Sequence, residues 1–364
     1  MPEKYKNILV LLLTGAFLLG FSVWGIFKPD ETLSVSERRT LAQFPEPDAG
    51  SILSGKFMSD FEAYTLDQFP LRDRFRTLKA VTALEVLHQK DNNGVYFQDG
   101  YVSKLDYPLH ESSVDHAAAR FRAVYERYLE NTDCKIYLAV VPDKNYYTDA
   151  DYPKMDYAAL TARLRDGMDY AQYIDLSGCL RLENYYRTDP HWNQATLAAT
   201  ARFLAASLGT EGKGDFHAVR LDTPFYGSYY GQAALPMEPD ELVYLTNDVL
   251  EDCVVHDYET DTFGKLYDEA AAQGRDPYEL FLSGPKSVLT IENPHAQTDR
   301  ELVLFRDSYG SSIAPLLAEG YAKITLIDIR YLAPELLGRF VDFGAQDVLF
   351  LYSATVLNSS ETLR

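Results

Sequence analysis

Cysteine is scarce in this chain, which has only Cys134, Cys179 and Cys253 among its 364 residues. The three are far apart and odd in number, so they indicate no disulfide framework, and none has the C-x2-C spacing of a metal site. None lies just after the N-terminal apolar run, which argues against a lipoprotein anchor. The histidines also lack H-x3-H or similar spacing, so we expect no metal site. We also expect no cofactor.

Positive charge is scarce as well, because 34 lysines and arginines stand against 54 aspartates and glutamates, giving a net charge of −20. A surface this acidic argues against nucleic-acid binding and against docking on anionic lipid. Internal repeats and low-complexity tracts are absent. The part of the chain after the N-terminal apolar run is long enough for a large core, as one big domain or two modest ones.

Charge is missing altogether from residues 8–27, a run of twenty residues that is about long enough to cross the ~30 Å hydrocarbon core of a membrane. Lys4 and Lys6 precede this run, and Asp30 and Glu31 follow it. Because positive flanks stay on the cytoplasmic side, this pattern predicts a short cytoplasmic N-terminus and an outward-facing remainder.

We therefore expect a cytoplasmic segment at 1–6 and a transmembrane signal anchor at 7–28. A cleaved signal peptide is the alternative interpretation. Its apolar region is usually shorter and ends in a small-x-small cleavage site, whereas residues 23–27 (VWGIF) offer no such site. The sequence favours the uncleaved anchor.

The remainder divides into a turn-rich stalk with a helical segment at 29–90 and an α/β domain at 91–364. An acidic, aromatic insertion interrupts this domain at about 210–300. Short apolar strands alternating with helices predict a parallel sheet covered on both faces, with ligands bound beyond the carboxyl ends of the strands. The predicted strands are 135–141, 301–305, 323–329 and 347–352, and the predicted helices are 113–130, 193–208, 311–319 and 333–342.

Two short segments carry the candidate chemistry, TDPHWN at 188–193 and FRDSYG at 305–310. A serine hydroxyl is a poor nucleophile until a base takes its proton, and that base needs an anion to fix its tautomer and stabilise its charged form. Ser308, His191 and Asp189 supply these three roles if the fold brings them together. They are the predicted catalytic residues.

Each part of this set also has a plainer explanation. Ser308 lies between a predicted strand and a predicted helix, where backbone N–H groups can stabilise an oxyanion, but Asp307 or Ser308 could simply cap that helix. Asp189 and His191 are two residues apart, so in an extended segment they face one site. They could instead be a turn-forming Asp-Pro pair with a surface histidine, or two metal ligands.

Five neighbouring residues are weaker candidates for contacts to the substrate or to an oxyanion. Arg306, Tyr309 and Gly310 flank the serine, and Trp192 follows the histidine. Lys144 comes just after a predicted strand and could hold an anionic substrate. Packing, or solvation in a loop, is the alternative for these side chains.

The segment at 188–193 resembles the D-H-H-W motif of the DHHW family, with Pro190 in place of the first histidine of that motif. Arg306-Asp307-Ser308-Tyr309 resembles the family's serine block, with Arg306 in place of glycine. That family is related to alginate O-acetylation proteins and, more distantly, to SGNH hydrolases. Further segments resemble family segments at 34–45, 67–72 and 141–144.

The resemblance implies an α/β fold of the SGNH hydrolase type, a three-layer αβα sandwich with a parallel central sheet, preceded here by the transmembrane helix. It also implies O-acetylation of a cell-surface or exported polysaccharide outside the membrane. Such proteins commonly work with a multi-pass membrane O-acyltransferase that supplies acetyl groups. We expect an acetyl-enzyme formed on Ser308, with a carbohydrate esterase or a non-catalytic envelope scaffold as the alternatives.

Overall fold

The computed structural model describes residues 2–148, 152–212 and 214–364. The first residue of the predicted cytoplasmic segment and residue 213 of the predicted insertion lie outside the described residues. The chain forms two compact units, one of residues 1–92 with 230–237 and one of residues 93–229 with 238–364. A short piece of the predicted insertion therefore belongs to the first unit.

The first unit begins with a 25-residue helix, α1, from Glu3 to Phe27. In the part of the chain that the structure describes, α1 is the one helix long and apolar enough to cross a membrane. Two residue pairs form a minimal ladder, β1 with β2, and three helices follow, the last of which continues into a π-helical turn. The bounds are β1 Leu33–Ser34, β2 Arg39–Thr40, α2 Ala49–Leu53, α3 Lys56–Asp67, α4 Arg72–Val81 and the turn Thr82–Val86.

The second unit is built on an eight-stranded sheet with the order β10-β9-β11-β13-β12-β14-β5-β6. The five strands from β13 to β6 are parallel, and β11, β9 and β10 continue the sheet in antiparallel fashion. The bounds are β5 Lys135–Val141, β6 Gln172–Asp175, β9 Val254–Asp257, β10 Thr262–Gly264, β11 Val288–Glu292, β12 Glu301–Arg306, β13 Lys323–Ile327 and β14 Asp347–Ser353.

Helices cover both faces of this sheet. Along β5, Tyr137, Ala139 and Val141 join one apolar cluster, and Leu138 and Val140 join the other, because successive side chains of a strand point to opposite faces. The first cluster includes α8 and α11, and the second includes α5 and α7. These helices are α5 Glu111–Val124, α7 Tyr157–Gly167, α8 Ala198–Ser207 and α11 Tyr309–Leu317. The predicted three-layer αβα class is thus confirmed.

The predicted helices differ from those observed at one end or throughout. The helix predicted at 113–130 ends in a π-helical turn, Tyr125–Leu129, and the helix predicted at 311–319 ends in a 3-10 turn, Ala318–Gly320. The segment at 333–342 is a 3-10 turn, Pro334–Arg339, because Gly338 lowers helix propensity by about 1 kcal/mol in a short segment. The segment at 193–208 begins as a 3-10 turn, Gln194–Thr196, and becomes α-helical only at Ala198.

The region at 210–300, predicted as an insertion, supplies strands β9 to β11 at one edge of the sheet and a separate antiparallel hairpin of β7 and β8. The remaining short elements are β3 Val95–Gln98, β4 Tyr101–Lys104, α6 Lys144–Tyr147, β7 His217–Phe225, α9 Ser228–Ala233, β8 Asp240–Thr246, α10 Asp248–Asp252 and α12 Ala354–Leu357.

Candidate active site

Ser308 lies at the carboxyl end of the parallel sheet, where α/β proteins bind their ligands. Strand β12 ends at Arg306 and α11 begins at Tyr309, so the serine occupies the sharp turn between them, with helical dihedral angles of φ −63° and ψ −21°. Strand β12 pairs in parallel with a neighbouring strand on each side, β13 and β14, and these two ladders fix the position of the turn that follows it.

The segment that carries Asp189 and His191 is a narrow loop closed at its base by backbone pairing. Tyr185 and Trp192 form an antiparallel bridge, and the Tyr186 N–H donates to the His191 carbonyl at 3.0 Å. This closure places the aspartate and the histidine at one end of the loop.

The structure brings the three predicted catalytic side chains together. His191 Nε2 lies 2.7 Å from Ser308 Oγ, and His191 Nδ1 lies 2.6 Å from Asp189 Oδ1. When the ring proton is on Nδ1, Nδ1 donates a hydrogen bond to the carboxylate. Nε2 then accepts a hydrogen bond from the serine hydroxyl. The distances are those that a nucleophile, a base and an orienting anion require.

Helix capping is carried out by Asp307 and not by Ser308. The serine side chain makes no capping bond to α11. Asp307 Oδ1 accepts from the Tyr309 N–H at 3.0 Å, and Oδ2 accepts from the Ser353 N–H at 2.8 Å, which ties the turn to the end of β14. The hydroxyl of Ser308 therefore stays available to His191.

Asp189 is buried, and both of its carboxylate oxygens accept hydrogen bonds. Oδ1 also accepts from the His191 N–H at 3.2 Å, and Oδ2 accepts from the Ser228 N–H at 2.9 Å. The latter bond needs a close backbone approach at Gly227, where an added Cβ would lie 2.2 Å from the Thr188 carbonyl oxygen and 2.4 Å from Asp189 Cβ. Glycine is required there because no larger residue fits.

A second buried carboxylate holds the loop from the other side. Asp240 Oδ2 accepts from the Thr188 N–H at 2.8 Å and from the Thr188 hydroxyl at 2.6 Å. The Thr188 hydroxyl oxygen in turn accepts from the Gly227 N–H at 2.9 Å. The position of Asp189 is thus fixed by bonds to its neighbours before any substrate binds.

Aromatic rings fix the plane of the imidazole. Tyr278 stacks on His191 with ring centroids 3.9 Å apart and an interplanar angle of 11°, and Tyr309 lies 4.9 Å away at 53°. The Tyr278 hydroxyl donates to Ser312 Oγ at 2.9 Å, and the Tyr309 hydroxyl donates to the Pro190 carbonyl at 2.7 Å. Tyr278 lies in the predicted insertion, and no motif in the sequence identifies it.

All five of the weaker candidates are buried, and four of them donate side-chain hydrogen bonds to other parts of the protein. Trp192 Nε1 donates to Ser312 Oγ at 2.7 Å. Arg306 Nη1 donates to Ser311 Oγ at 3.1 Å, and its side chain lies against the position where Gly310 would carry a Cβ, 2.5 Å from Arg306 Cβ. These residues, with Lys144, shape the site from inside the protein.

Lys144 braces the loop that carries Asp189. Its Nζ donates to the carbonyls of Tyr186 at 3.0 Å and Arg187 at 3.3 Å and lies 5.0 Å from the centre of the Tyr229 ring. Burial lowers the pKa of Lys144 to about 7, and the nearby carboxylate of Asp189 opposes that shift. In the described parts of the chain, no group of three or more His, Cys, Asp or Glu residues is placed to hold a metal ion.

Comparison with known proteins supports the fold described above. No protein-family model matches the sequence, and no curated protein matches it either. A DHHW family protein from Eubacterium siraeum matches the structure with a TM-score of 0.62 at 19% sequence identity, covering 75% of this chain and 95% of that one. The two chains share one fold.

Bacillus cereus PatB1, solved with a sulfonyl adduct, matches with a TM-score of 0.57 at 16% identity, covering 72% of this chain and 95% of PatB1. The O-acetyltransferase domain of Pseudomonas putida AlgJ also matches, with a TM-score of 0.45 at 15% identity, covering 73% of this chain and 92% of that domain. The first two comparisons carry the fold assignment, and they confirm the predicted α/β fold, which this chain shares with a DHHW family protein and with PatB1.

Proposed function

We propose that this chain is an extracytoplasmic O-acetyltransferase that moves an acetyl group onto a polysaccharide through Ser308. The observation that carries the proposal is the continuous chain of hydrogen bonds from Ser308 through His191 to a buried Asp189, with separations of 2.7 and 2.6 Å. Such a set serves acyl transfer because the base can take a proton from one hydroxyl and return it to a leaving group.

In the first half of the proposed reaction, Ser308 Oγ attacks the carbonyl carbon of an acetyl donor while His191 Nε2 accepts the hydroxyl proton. Asp189 stabilises the imidazolium that forms. The tetrahedral intermediate then collapses, its bond to the leaving group breaks, and His191 returns the proton to that group. The product of this half is an acetyl ester on Ser308.

In the second half, His191 takes the proton of a sugar hydroxyl, whose oxygen attacks the acetyl carbon. The bond to Ser308 Oγ breaks, the serine recovers its proton from His191, and the sugar leaves as its acetyl ester. Water in place of the sugar would give hydrolysis, so the balance of the two outcomes depends on the acceptor that reaches the acetyl-enzyme.

The oxyanion of both halves needs preorganised donors. The N–H groups of Tyr309 and Gly310 already donate to Asp307, at 3.0 and 3.1 Å. We therefore assign the backbone N–H of Ser308 to the oxyanion, at the N-terminal turn of α11 where the helix dipole favours negative charge.

The proposed setting is the outer face of a bacterial cell membrane. Residues 7–28 would be the transmembrane anchor and 1–6 the cytoplasmic end, as Lys4 and Lys6 indicate. The DHHW resemblance supports a polysaccharide as acceptor and a multi-pass membrane O-acyltransferase as the partner that supplies acetyl groups.

The test uses the purified full-length protein with a chromogenic acetyl ester, in the presence and absence of an oligosaccharide. Acetylated sugar detected by mass spectrometry, and lost in Ser308→Ala, supports the transferase. Free acetate alone would point to an esterase. No turnover by folded protein, together with no labelling of Ser308 by a sulfonyl fluoride, would leave a binding or scaffold role.

A further inference from the structure

Helix α4 of the first unit presents an apolar face outward. Leu71, at its N-terminus, is 42% exposed, Leu78 is 59% exposed and Val81 is 37% exposed, whereas Ala80 is buried. Leu71, Phe75 and Leu78 are spaced four and three residues apart and so share one side of the helix. In a water-facing helix this side would be polar, so the arrangement needs an apolar environment.

Exposed apolar side chains also lie just before and just after the helix. Phe69 precedes α4 and is 38% exposed, and in the π-helical turn and just after it Val86 and Leu87 are exposed at 66% and 62%. We call residues 69–87 the interfacial segment. It exposes six large apolar side chains within nineteen residues, more than is expected of single apolar residues scattered over a surface.

The interfacial segment packs against the C-terminal part of α1, within the apolar run. The Phe21 ring stacks on Phe69 with centroids 5.4 Å apart and an interplanar angle of 1°, and it meets Phe75 edge-on at 5.5 Å. Pro70 lies beside Gly25, with Pro70 Cδ 3.7 Å from the place where a Cβ of Gly25 would be.

These contacts fix the depth of the segment relative to α1. Phe21 lies six residues before Phe27, which ends the helix, and a rise of 1.5 Å per residue puts it about 9 Å inside that end. Side chains in contact with Phe21 therefore lie at a depth that an interfacial helix reaches, about 5–10 Å into the boundary of headgroups and acyl chains.

We propose that the interfacial segment is a second membrane contact, which lies in the outer leaflet with Phe69, Leu71, Phe75 and Leu78 immersed in lipid. This inference rests on the proposed membrane anchor. Lipid is the occupant that the observations favour, because the apolar face is continuous with α1, whose own side chains are exposed along its length.

The charge of α4 fits the same environment. The helix carries Arg72, Arg74, Arg76 and Lys79 against one acidic residue, Asp73, in a chain whose net charge is −20. Basic side chains beside an apolar face can reach lipid phosphates while their stems stay in the apolar layer. The net charge of the whole chain predicted no docking on anionic lipid, and this helix is a local exception.

Two of these cations are also used inside the first unit. Arg72 Nη1 lies 2.6 Å from Glu37 Oε2, and Arg76 Nη2 lies 3.1 Å from Glu37 Oε1. These pairs hold the polar side of α4 against the protein and so leave its apolar side outward. Arg74 and Lys79 are both exposed on α4 and can reach the headgroups.

The test measures immersion depth directly. The full-length protein, with its three native cysteines replaced, carries a nitroxide on Leu78→Cys and is reconstituted into lipid nanodiscs without any partner protein. Paramagnetic relaxation by oxygen and by a water-soluble nickel chelate reports depth. Leu12→Cys in α1 is the immersed control, and Asp166→Cys, exposed on α7, is the aqueous control. We expect the Leu78 label at about 5–10 Å below the phosphates.

A Leu78 label as aqueous as the Asp166 label, with the Leu12 label immersed, would overturn the inference while the anchor stands. An aqueous Leu12 label would remove the anchor and the inference with it. A Leu78 label that is aqueous in nanodiscs but shielded in native membranes would show that a protein covers the face. Val81→Cys repeats the measurement if Leu78→Cys fails to fold. Acetyl-ester turnover of each labelled protein tests the proposed catalytic function separately.

Discussion

Replacing Asp189 by asparagine tests the proposed site most specifically, because the carboxylate uses both oxygens as acceptors. Oδ1 accepts from His191 Nδ1 and from the His191 N–H, and Oδ2 accepts from the Ser228 N–H. An amide has one acceptor oxygen and one donor group, so it cannot reproduce this pattern in either orientation.

The two orientations of the amide in Asp189→Asn differ in cost. With its oxygen toward His191, the amide NH2 group opposes the Ser228 N–H, so the bond at 2.9 Å is lost and two donors face each other, at a cost of about 1–3 kcal/mol in unfolding free energy. With its NH2 group toward His191 Nδ1, the Ser228 bond at 2.9 Å is kept and the longer bond from the His191 N–H, at 3.2 Å, is lost. The second orientation is therefore favoured.

The favoured orientation places the imidazole proton on Nε2, where it blocks transfer from Ser308. We expect turnover of an acetyl ester to fall by about 10²–10⁴-fold, which corresponds to about 3–5.5 kcal/mol in activation free energy. The assay compares full-length wild type and Asp189→Asn, with circular dichroism to confirm folding.

The matched control is Asp347→Asn. Asp347 is also buried, and it accepts from the Tyr321 hydroxyl at 3.0 Å, but it begins β14 at the end of the sheet opposite Ser308. This variant should lose stability and keep its turnover per folded molecule. Turnover of folded Asp189→Asn within threefold of wild type would refute the assignment of Asp189 as the orienting anion, since ~10²-fold is the smallest loss expected.

Three further predictions follow from the contacts of the site. Ser308→Ala and His191→Ala should each lower ester turnover nearly as much as the double variant, because the two residues act as one unit; additive losses measured in the three proteins would contradict this. Gly227→Ala should lower both turnover and thermal stability, since its Cβ would lie 2.2 Å from the Thr188 carbonyl oxygen. Gly178→Ala is the control and should change neither, because its Cβ would meet no described atom within 4 Å apart from its chain neighbours. Equal effects of the two substitutions would be inconsistent with a close approach at Gly227. Burial lowers the pKa of Lys144 from 10.5 to about 7, so between these values the folded protein binds fewer protons at this residue than the unfolded protein does. Wild type should therefore gain stability relative to Lys144→Met as pH rises from 7 to 10. Melting temperatures of the two proteins that differ by a constant amount over this range would count against this.

The strands of the parallel sheet could be predicted because each is an apolar run bounded by polar or turn residues. Residues 135–141 are a strand with the predicted bounds, and 347–353 differs from its prediction by one residue. The antiparallel strands at one edge of the sheet could not be predicted in the same way. Val254–Asp257 and Thr262–Gly264 are short and partly polar, and their pairing is set by tertiary contacts.

The positions of Asp189, His191 and Ser308 could be proposed from sequence because their residue types and spacing fit a known chemical task. The residues that contact these three side chains could not be proposed from sequence. Ser228 reaches Asp189 across 39 residues, and Tyr278 stacks on His191 across a region without periodicity. Contacts of this kind leave no local signal, since each depends on where a loop returns in space.

The burial of Lys144 could not be predicted from the sequence either. A lysine after a strand in the sequence Pro-Asp-Lys-Asn has the composition of a solvated loop or an exposed substrate contact. The structure buries it under the loop that carries Asp189, where it donates to two backbone carbonyls. Burial of a charged side chain depends on partners distant in sequence, so composition alone does not predict it.

Covalent labelling of Ser308 is the most direct measurement of the central claim, that His191 activates this hydroxyl for acyl transfer. Full-length protein is treated with an acetyl ester or a sulfonyl fluoride, quenched, and analysed by intact-mass and peptide mass spectrometry. We expect one adduct, located on Ser308, absent from Ser308→Ala and strongly reduced in His191→Ala. An unlabelled wild type, or the same adduct mass in folded Ser308→Ala, would contradict it.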